Sequence, residues 1–359
     1  MQQIYLVVQM GDRCKISVII TAFDRSEYVR DAIDSAINQT IDSSIYEIFV
    51  IKTFHNSDLD KYSDALGIKN LVFDPTVKYG KRLIDTIKRC NGEIIVFLED
   101  DDVFFPGKLE KIIQVFEEHP QLSYYHNEGT YRNKSLESDN RSKSIEKGLN
   151  LATLDQYDLI DLNDFSFNAI LNSRIWANVS CMAVSKSVCI EHEALFRAVN
   201  QPIDVLLFTV STLKNYSVYA DRDKYTIIRL HDTNDSFLVS SDGNFNSALE
   251  KRFLSLQRDN EGIEVMINSL GKRVKLINIL LKYQDLRLKV LMGLLTGDSK
   301  RITLFKAMFY FAISSLRAAI TLDRFIAFNS IYCLVSPERA SARYLSRLSI
   351  EFIQKSEVN

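Results

Sequence analysis

The stretch Glu93-Ile-Ile-Val-Phe-Leu-Glu-Asp-Asp-Asp102 decides how the rest of the chain is read. Its first half is a short, strongly apolar run, which predicts a buried strand and, because it is the most apolar such run in the chain, a central one. Its second half, Glu99 to Asp102, is four consecutive acids. Clustered carboxylates repel one another and are costly to ionise where partly buried. A divalent cation held by oxygen ligands relieves that repulsion, and Mg²⁺ or Mn²⁺ placed there can bridge two phosphates and neutralise a departing nucleoside diphosphate. The alternative is a solvated acidic turn. Removing the charge of Asp101 from this repulsive cluster is expected to leave the fold intact and to raise the stability of the metal-free protein slightly.

Working outward, Lys15–Ile20, Tyr46–Ile51 and Asn70–Phe73 read as strands. A helical pattern follows the first, with Tyr28, Val29, Ala32, Ile33, Ala36 and Ile37 on one face and Ser26 as its N-cap. Lys81–Cys90 is a further helix, stopped at Asn91-Gly92. The order strand, helix, strand, strand, helix, strand predicts a doubly wound α/β fold with a mostly parallel sheet and a ligand site at the C-terminal strand ends. Beyond it, Gly107–His119 reads as helix, the polar stretch 132–165 as a long loop or lid, Ile175–Val184 and Lys224–Arg229 as strands, and Asp204–Lys214 as helix. From Phe245 onward nearly everything reads as helix. With 359 residues, two units are expected: 1–245 as the α/β domain and 246–359 as a helical C-terminal extension.

Several motifs occur in order over about 95 residues: Ser17-Val-Ile-Ile-Thr-Ala-Phe-Asp-Arg25, Ala32-Ile-Asp-Ser-Ala-Ile-Asn-Gln-Thr40, and Gly92-Glu-Ile-Ile-Val-Phe-Leu-Glu-Asp-Asp-Asp102 with Pro106 beyond. Together they resemble the family 2 inverting glycosyltransferases of GT-A fold. The resemblance implies a sugar transfer from a nucleotide-sugar donor to an acceptor hydroxyl, dependent on a divalent metal, Mn²⁺ or Mg²⁺. Glu99-Asp100-Asp101 stands at the Asp-x-Asp motif, with Asp101 and Glu99 as metal ligands and Asp100 facing the ribose. Thr21 and Ala22 contact the nucleotide through the backbone, Phe23 stacks on the base, and Asp24 belongs to the same turn.

Later positions carry weaker likeness. The family's acidic general base falls at Gln201-Pro-Ile-Asp-Val205, where Asp204 is the carboxylate and Pro202 suits a helix start. An inverting transfer needs one base to take the acceptor proton, and Glu191 and Glu193 are the next acids in line. The segment Ile228–Ser236 resembles the family's Tyr-Arg-x-His stretch, so His231 is expected in the metal shell and Arg229 near the phosphates. The chain departs from the family after the second strand. Lys52 stands where an acid binds the base and cannot accept a hydrogen bond from uracil, so the base is open. Lys78, Lys81 and Arg82 supply charge toward the donor phosphates. Nucleotidyl transfer, and a non-catalytic sugar-binding relative, are the competing readings.

Net charge is −2, yet residues 271–359 hold 15 basic and 6 acidic side chains against 29 and 40 in the rest. Across Ile302–Leu322 a polar stripe with Lys306 and Arg317 runs along an apolar face, as in helices lying on anionic membrane surfaces. The alternative is a bundle packed on the catalytic domain or on a second copy in a homodimer. The five cysteines fit no zinc spacing, and Ile4–Val8 is too short for a signal or membrane span. The expectation is a cytoplasmic protein, peripheral on the inner membrane face, with a glycan or lipid-linked acceptor and no nucleic-acid partner.

Overall fold

The computed structural model describes residues 14–149, 158–160, 174–213, 217–231, 244–270, 275–298, 306, 308, 328–329, 331–332 and 334–356. Its first half alternates strand and helix: β1 (Ile16–Ala22), α1 (Val29–Ile37), β2 (Tyr46–Lys52), α2 (Ser57–Ala65), β3 (Lys69–Val72), α3 (Tyr79–Ile87), β4 (Ile94–Glu99), β5 (Val103–Phe104) and α4 (Lys108–Glu118). There follow β6 (Leu122–Arg132), α5 (Asn140–Leu149), β7 (Asp158–Ile160), β8 (Met182–Ser185), α6 (Lys186–Glu191), α7 (Glu193–Ala198), α8 (Ile203–Ser211) and β9 (Ser217–Arg229). Three long helices close the described chain: α9 (Phe245–Leu270), α10 (Lys275–Thr296) and α11 (Pro337–Ser356).

One sheet runs β3-β2-β1-β4-β8-β6-β9-β5, with β7 also on β9. The first four strands are parallel, β8 joins β4 antiparallel, and β6 and β9 form a long parallel pair. Buried on both faces, β1 and β4 read as continuous apolar runs because helices cover each side of a parallel sheet. β4 is central, as its composition implied. Gly92 lets the turn before β4 close on β1, because a Cβ there would lie 2.5 Å from the Ile16 carbonyl carbon and the Ser17 nitrogen.

The sequence reading needs four corrections here. α2 was not anticipated, since its mixed polar sequence hides a single cap: Asn56 accepts the Leu59 amide at 3.0 Å. α1 begins at Val29, with no side-chain cap from Ser26. The stretch read as loop contains α5, which starts on a reciprocal cap: Ser142 N–H reaches the Asp139 carboxylate at 2.7 Å, and Asp139 N–H reaches Ser142 Oγ at 2.8 Å. Of Ile175–Val184, strand begins only at Met182, after a 3-10 turn at Val179–Cys181.

Two apolar clusters flank the sheet. The larger unites β4, β6 and α8 with the C-terminal helices through Ile263, Met266, Leu280, Tyr283 and Tyr344. These helices therefore share a core with the α/β layers. No helix among the described residues is long and apolar enough to cross a membrane, and most of Ile302–Leu322 lies outside the described residues. Truncation after Leu270 should uncover that shared core. The expected result is a lowered melting temperature and aggregation, read by thermal denaturation with light scattering; a soluble fragment with the wild-type melting temperature would contradict it.

Candidate functional site

The site forms where β1 and β4 end side by side. Thr21 pairs with Glu99 across the ladder, and the Asp100 N–H donates to the Thr21 carbonyl at 3.1 Å. Past this point the chain leaves the sheet, so Asp100, Asp101 and Asp102 fall at the strand tip, all nearly buried. Asp100 and Asp101 open on a cleft of about 650 Å³ lined by Thr21 to Arg25, Ile51, Pro75, Tyr79, Arg82, Glu99 to Asp101, Asn200, Gln201, Lys251 and Arg258.

Charge is unevenly divided within the acid cluster. Arg25 donates to both Asp100 oxygens, at 2.8 Å through Nη2 and 3.1 Å through Nε, and to Asp101 Oδ2 at 2.5 Å. His231 Nε2 lies 2.8 Å from the same Asp101 oxygen, its ring 5.0 Å from that of Tyr28. Although burial opposes it, the bond from His231 and the Arg25 charge hold the Asp101 carboxyl below the usual range. Its neighbours move the other way. Burial pushes Asp100 up to about 7 and Asp102 up to about 8, with the Asp101 charge adding to both. Burial raises Glu99 too, reinforced by the three aspartates. The surroundings thus favour charge on Asp101 and disfavour it on the other three.

Arg229 acts as a clamp beneath this cluster. Its backbone N–H donates to Asp102 Oδ1 at 3.1 Å, its Nε to the Asp101 carbonyl at 2.9 Å and its Nη2 to Asp31 at 2.6 Å. The sequence reading set Arg229 near the phosphates; the structure buries it behind the acids instead. A buried lysine lies on the same side: Lys108 donates to the Ser180 carbonyl at 2.5 Å and to Thr226 Oγ1 at 2.8 Å.

The other sequence-selected residues divide into two groups. Thr21, Ala22, Phe23 and Asp24 line the cleft. Phe23 is 47% exposed, so it is no core aromatic, and the Arg82 guanidinium lies 5.1 Å over its ring and 5.2 Å over that of Tyr79. Arg82 Nε is buried without a hydrogen-bond partner. Lys52 and Lys81 are turned away. Lys52 is wholly buried and paired with Asp60, and Lys81 pairs with Asp85 at 2.6 Å on the exposed side of α3. Glu193 is likewise engaged, by Lys88 and Arg197.

Asp204 sits in the first turn of α8, partly exposed, three residues past the cleft-lining Gln201. Desolvation pushes its carboxyl up to about 7, against the bond from the Val205 N–H, and the Asp259 charge adds to the rise. The seam joining α3 to this region combines one backbone contact with two side-chain ties. Tyr79 N–H donates to Asn200 Oδ1 at 2.8 Å, Lys78 Nζ donates to the Ala198 carbonyl at 2.8 Å, and a Cβ on Gly80 would lie 2.6 Å from the Val199 carbonyl oxygen. Arg25, Tyr79, Asn200, Lys251 and Arg258 were not singled out as site residues. Arg25 was visible inside the first motif; Lys251 and Arg258 carry no local signal, because only the packing of α9 brings them to the cleft.

Comparison with known proteins follows the same outline. Residues 17–176 match the profile of Glycosyl transferase family 2. The poly(ribitol-phosphate) beta-N-acetylglucosaminyltransferase TarP of Staphylococcus aureus is 26% identical over 243 residues, 64% of this chain and 68% of TarP. Protein CgeD of Bacillus subtilis is 28% identical over 123 residues, and the match spans only 28% of CgeD. Among solved structures, S. aureus TarS 1-349 in complex with UDP-GlcNAc aligns with a TM-score of 0.50 at 14% identity, covering 88% of this chain and 91% of that one. At that identity the likeness is one of fold, and the fold is GT-A.

The uneven charge reverses the expectation that losing the Asp101 charge stabilises the metal-free protein. Asp101→Asn deprives Arg25 and His231 of their ionised partner and should destabilise the fold by about 1–3 kcal/mol, as for a lost charged hydrogen bond. Urea denaturation at pH 7 with a chelator present checks this; unchanged or increased stability would mean that repulsion governs the cluster.

Proposed function

Since residues 17–176 carry a family 2 glycosyltransferase sequence on a GT-A fold, we propose that the protein transfers a sugar from a nucleoside-diphosphate donor to an acceptor hydroxyl, with inversion at the anomeric carbon. The observation that carries the reading is the pairing of a strand-tip carboxylate cluster that lines the cleft with a separate carboxylate, Asp204, which follows the cleft-lining Gln201 by three residues and is pushed up to about 7. The donor base stacks on Phe23, beside Thr21 and Ala22, and Arg82 faces its diphosphate. The acceptor hydroxyl attacks the anomeric carbon, the bond to the diphosphate breaks, and Asp204 takes the hydroxyl proton.

A divalent cation fits this donor set. The ligands are hard carboxylate oxygens, and a positive group, the Arg25 guanidinium, already lies between Asp100 and Asp101. No group of three or more His, Cys, Asp or Glu among the described residues is preformed as a metal site. In this reading Glu99 and Asp101 hold the cation, and His231 orients Asp101 through their shared hydrogen bond. When bound, the metal neutralises charge developing on the leaving diphosphate.

The name of TarP supports a phosphate-bearing polyol acceptor, and Lys251 and Arg258 at the cleft suit an anionic chain of that kind. The membrane reading of the basic tail rests on its charge; co-sedimentation with neutral and anionic vesicles at rising salt tests it, and equal binding to both would retire it. Nucleotidyl transfer and a non-catalytic relative are separated from the proposed reaction by assaying hydrolysis of UDP-, GDP- and dTDP-sugars with and without Mn²⁺.

Two outcomes are expected of Asp204. Its replacement by Asn should leave donor affinity nearly unchanged and lower the transfer rate by about 10²–10⁴-fold. In the wild type, the rate should rise with pH through about 7, because the base acts only once deprotonated. Steady-state kinetics from pH 5.5 to 8.5 checks both; a rate flat with pH, or a collapse of donor affinity in the variant, would remove Asp204 from the role.

A further inference from the structure

We propose that α9 is part of the catalytic centre and that Gly262 is a positioning residue: it seats α9 on the Gln201–Pro202 peptide and so fixes the start of the helix that presents Asp204. This rests on the reading of Asp204 as the base. A Cβ at position 262 would overlap the Gln201 carbonyl oxygen, and it would lie 2.7 Å from the carbonyl carbon and 3.4 Å from Pro202 Cδ. The helix therefore meets the turn backbone against backbone, at the one α9 residue type that allows it. Gln201 lines the cleft, and α8 begins two residues later with Asp204 in its first turn.

α9 has little freedom to retreat. Ile263 and Met266 are fully buried in the larger core, and Asn260 donates to Asp285 of α10 at 2.8 Å. On the turn before Gly262, Arg258 lines the cleft, and the Asp259 charge acts on Asp204. Any side chain at 262 must push α9 and the turn apart, which moves Asp204 relative to the strand-tip acids. β1 and β4, which carry Thr21 to Asp24 and Glu99 to Asp101, are left in place. The chemical step should therefore suffer while donor binding does not.

The test measures donor affinity and kcat for Gly262→Ala, Asp259→Asn, Asp204→Asn and Met266→Ala, using UDP-GlcNAc or whichever panel sugar the wild type hydrolyses fastest. Gly262→Ala should keep donor affinity within about two-fold while kcat falls at least about ten-fold, since misplacement near 1 Å can cost about 10²-fold. Met266→Ala, a cavity on the same helix, should lower stability yet keep kcat. If Gly262→Ala does not fold, the isosteric Asp259→Asn carries the test. With Glu99 from β4 and Tyr124 from β6 unchanged around Asp204, the midpoint of its rate profile should move to lower pH. Wild-type kcat in folded Gly262→Ala, an equal kcat loss in Met266→Ala, or an unmoved profile in Asp259→Asn would overturn the proposal. If Asp204→Asn retains the wild-type rate, the catalytic reading itself fails; if it is inactive while Gly262→Ala is fully active, the positioning role alone falls.

Discussion

Holding four carboxylates at the tip of a buried strand is the constraint around which this protein is arranged. The solution is asymmetric. Asp101 keeps its charge because Arg25 and His231 close on it from two sides, while burial lifts the carboxyls of Asp100 and Asp102. Arg229 fixes the backbone of the same turn and ties it to Asp31 of α1. These partners come from two distant parts of the chain, Arg25 from just after β1 and Arg229 and His231 from the end of β9. The strand tip therefore has its shape only once the sheet is complete. Removing one partner of such a buried pair leaves the other charge uncompensated, so the cluster depends on all of them.

The cleft is composite in sequence. One side of its lining comes from the first 101 residues, Asn200 and Gln201 from the middle of the chain, and one of its rims from the helical region that composition had marked as a separate unit. Lys251 and Arg258 lie beyond the boundary drawn at residue 245, yet they line the same cavity as Thr21 and Asp100. These two cations come from α9 itself and lie before the basic stretch 271–359.

Much of the α/β half was legible because its signals are local. Apolar runs of strand length, the acids directly after β4 and the ordered motifs each depend on neighbours in sequence. The failures were of two kinds. α2 and α5 were missed because a polar helix announces itself only by its caps, Asn56 and the Asp139–Ser142 pair. Lys52, Lys81 and Arg229 were assigned to the ligand by position, and each is instead turned to a carboxylate elsewhere: Asp60, Asp85 and Asp31. Which way a long cation points depends on partners distant in sequence, and no periodicity reports it. Arg25 illustrates the converse, a residue plainly within a quoted motif whose role became visible only when Asp100 and Asp101 came within reach.

The seam at Gly80 has a consequence for how such a cleft can diverge. There the Gly80 backbone lies against the Phe196 and Val199 carbonyls, with Tyr79 N–H bonded to the Asn200 side chain and the Lys78 ammonium to the Ala198 carbonyl. The close backbone approach leaves no room for a side chain at position 80, so the spacing between α3 and the turn before α8 is held by one glycine and two side-chain ties. Exchanging Phe23 or Arg82 changes the lining of the cleft without touching that seam. On the opposite rim Lys251 and Arg258 project from α9, and there the lining is side chain. One wall is thereby held to a set spacing by a residue that has no side chain, while the other can change its chemistry one residue at a time.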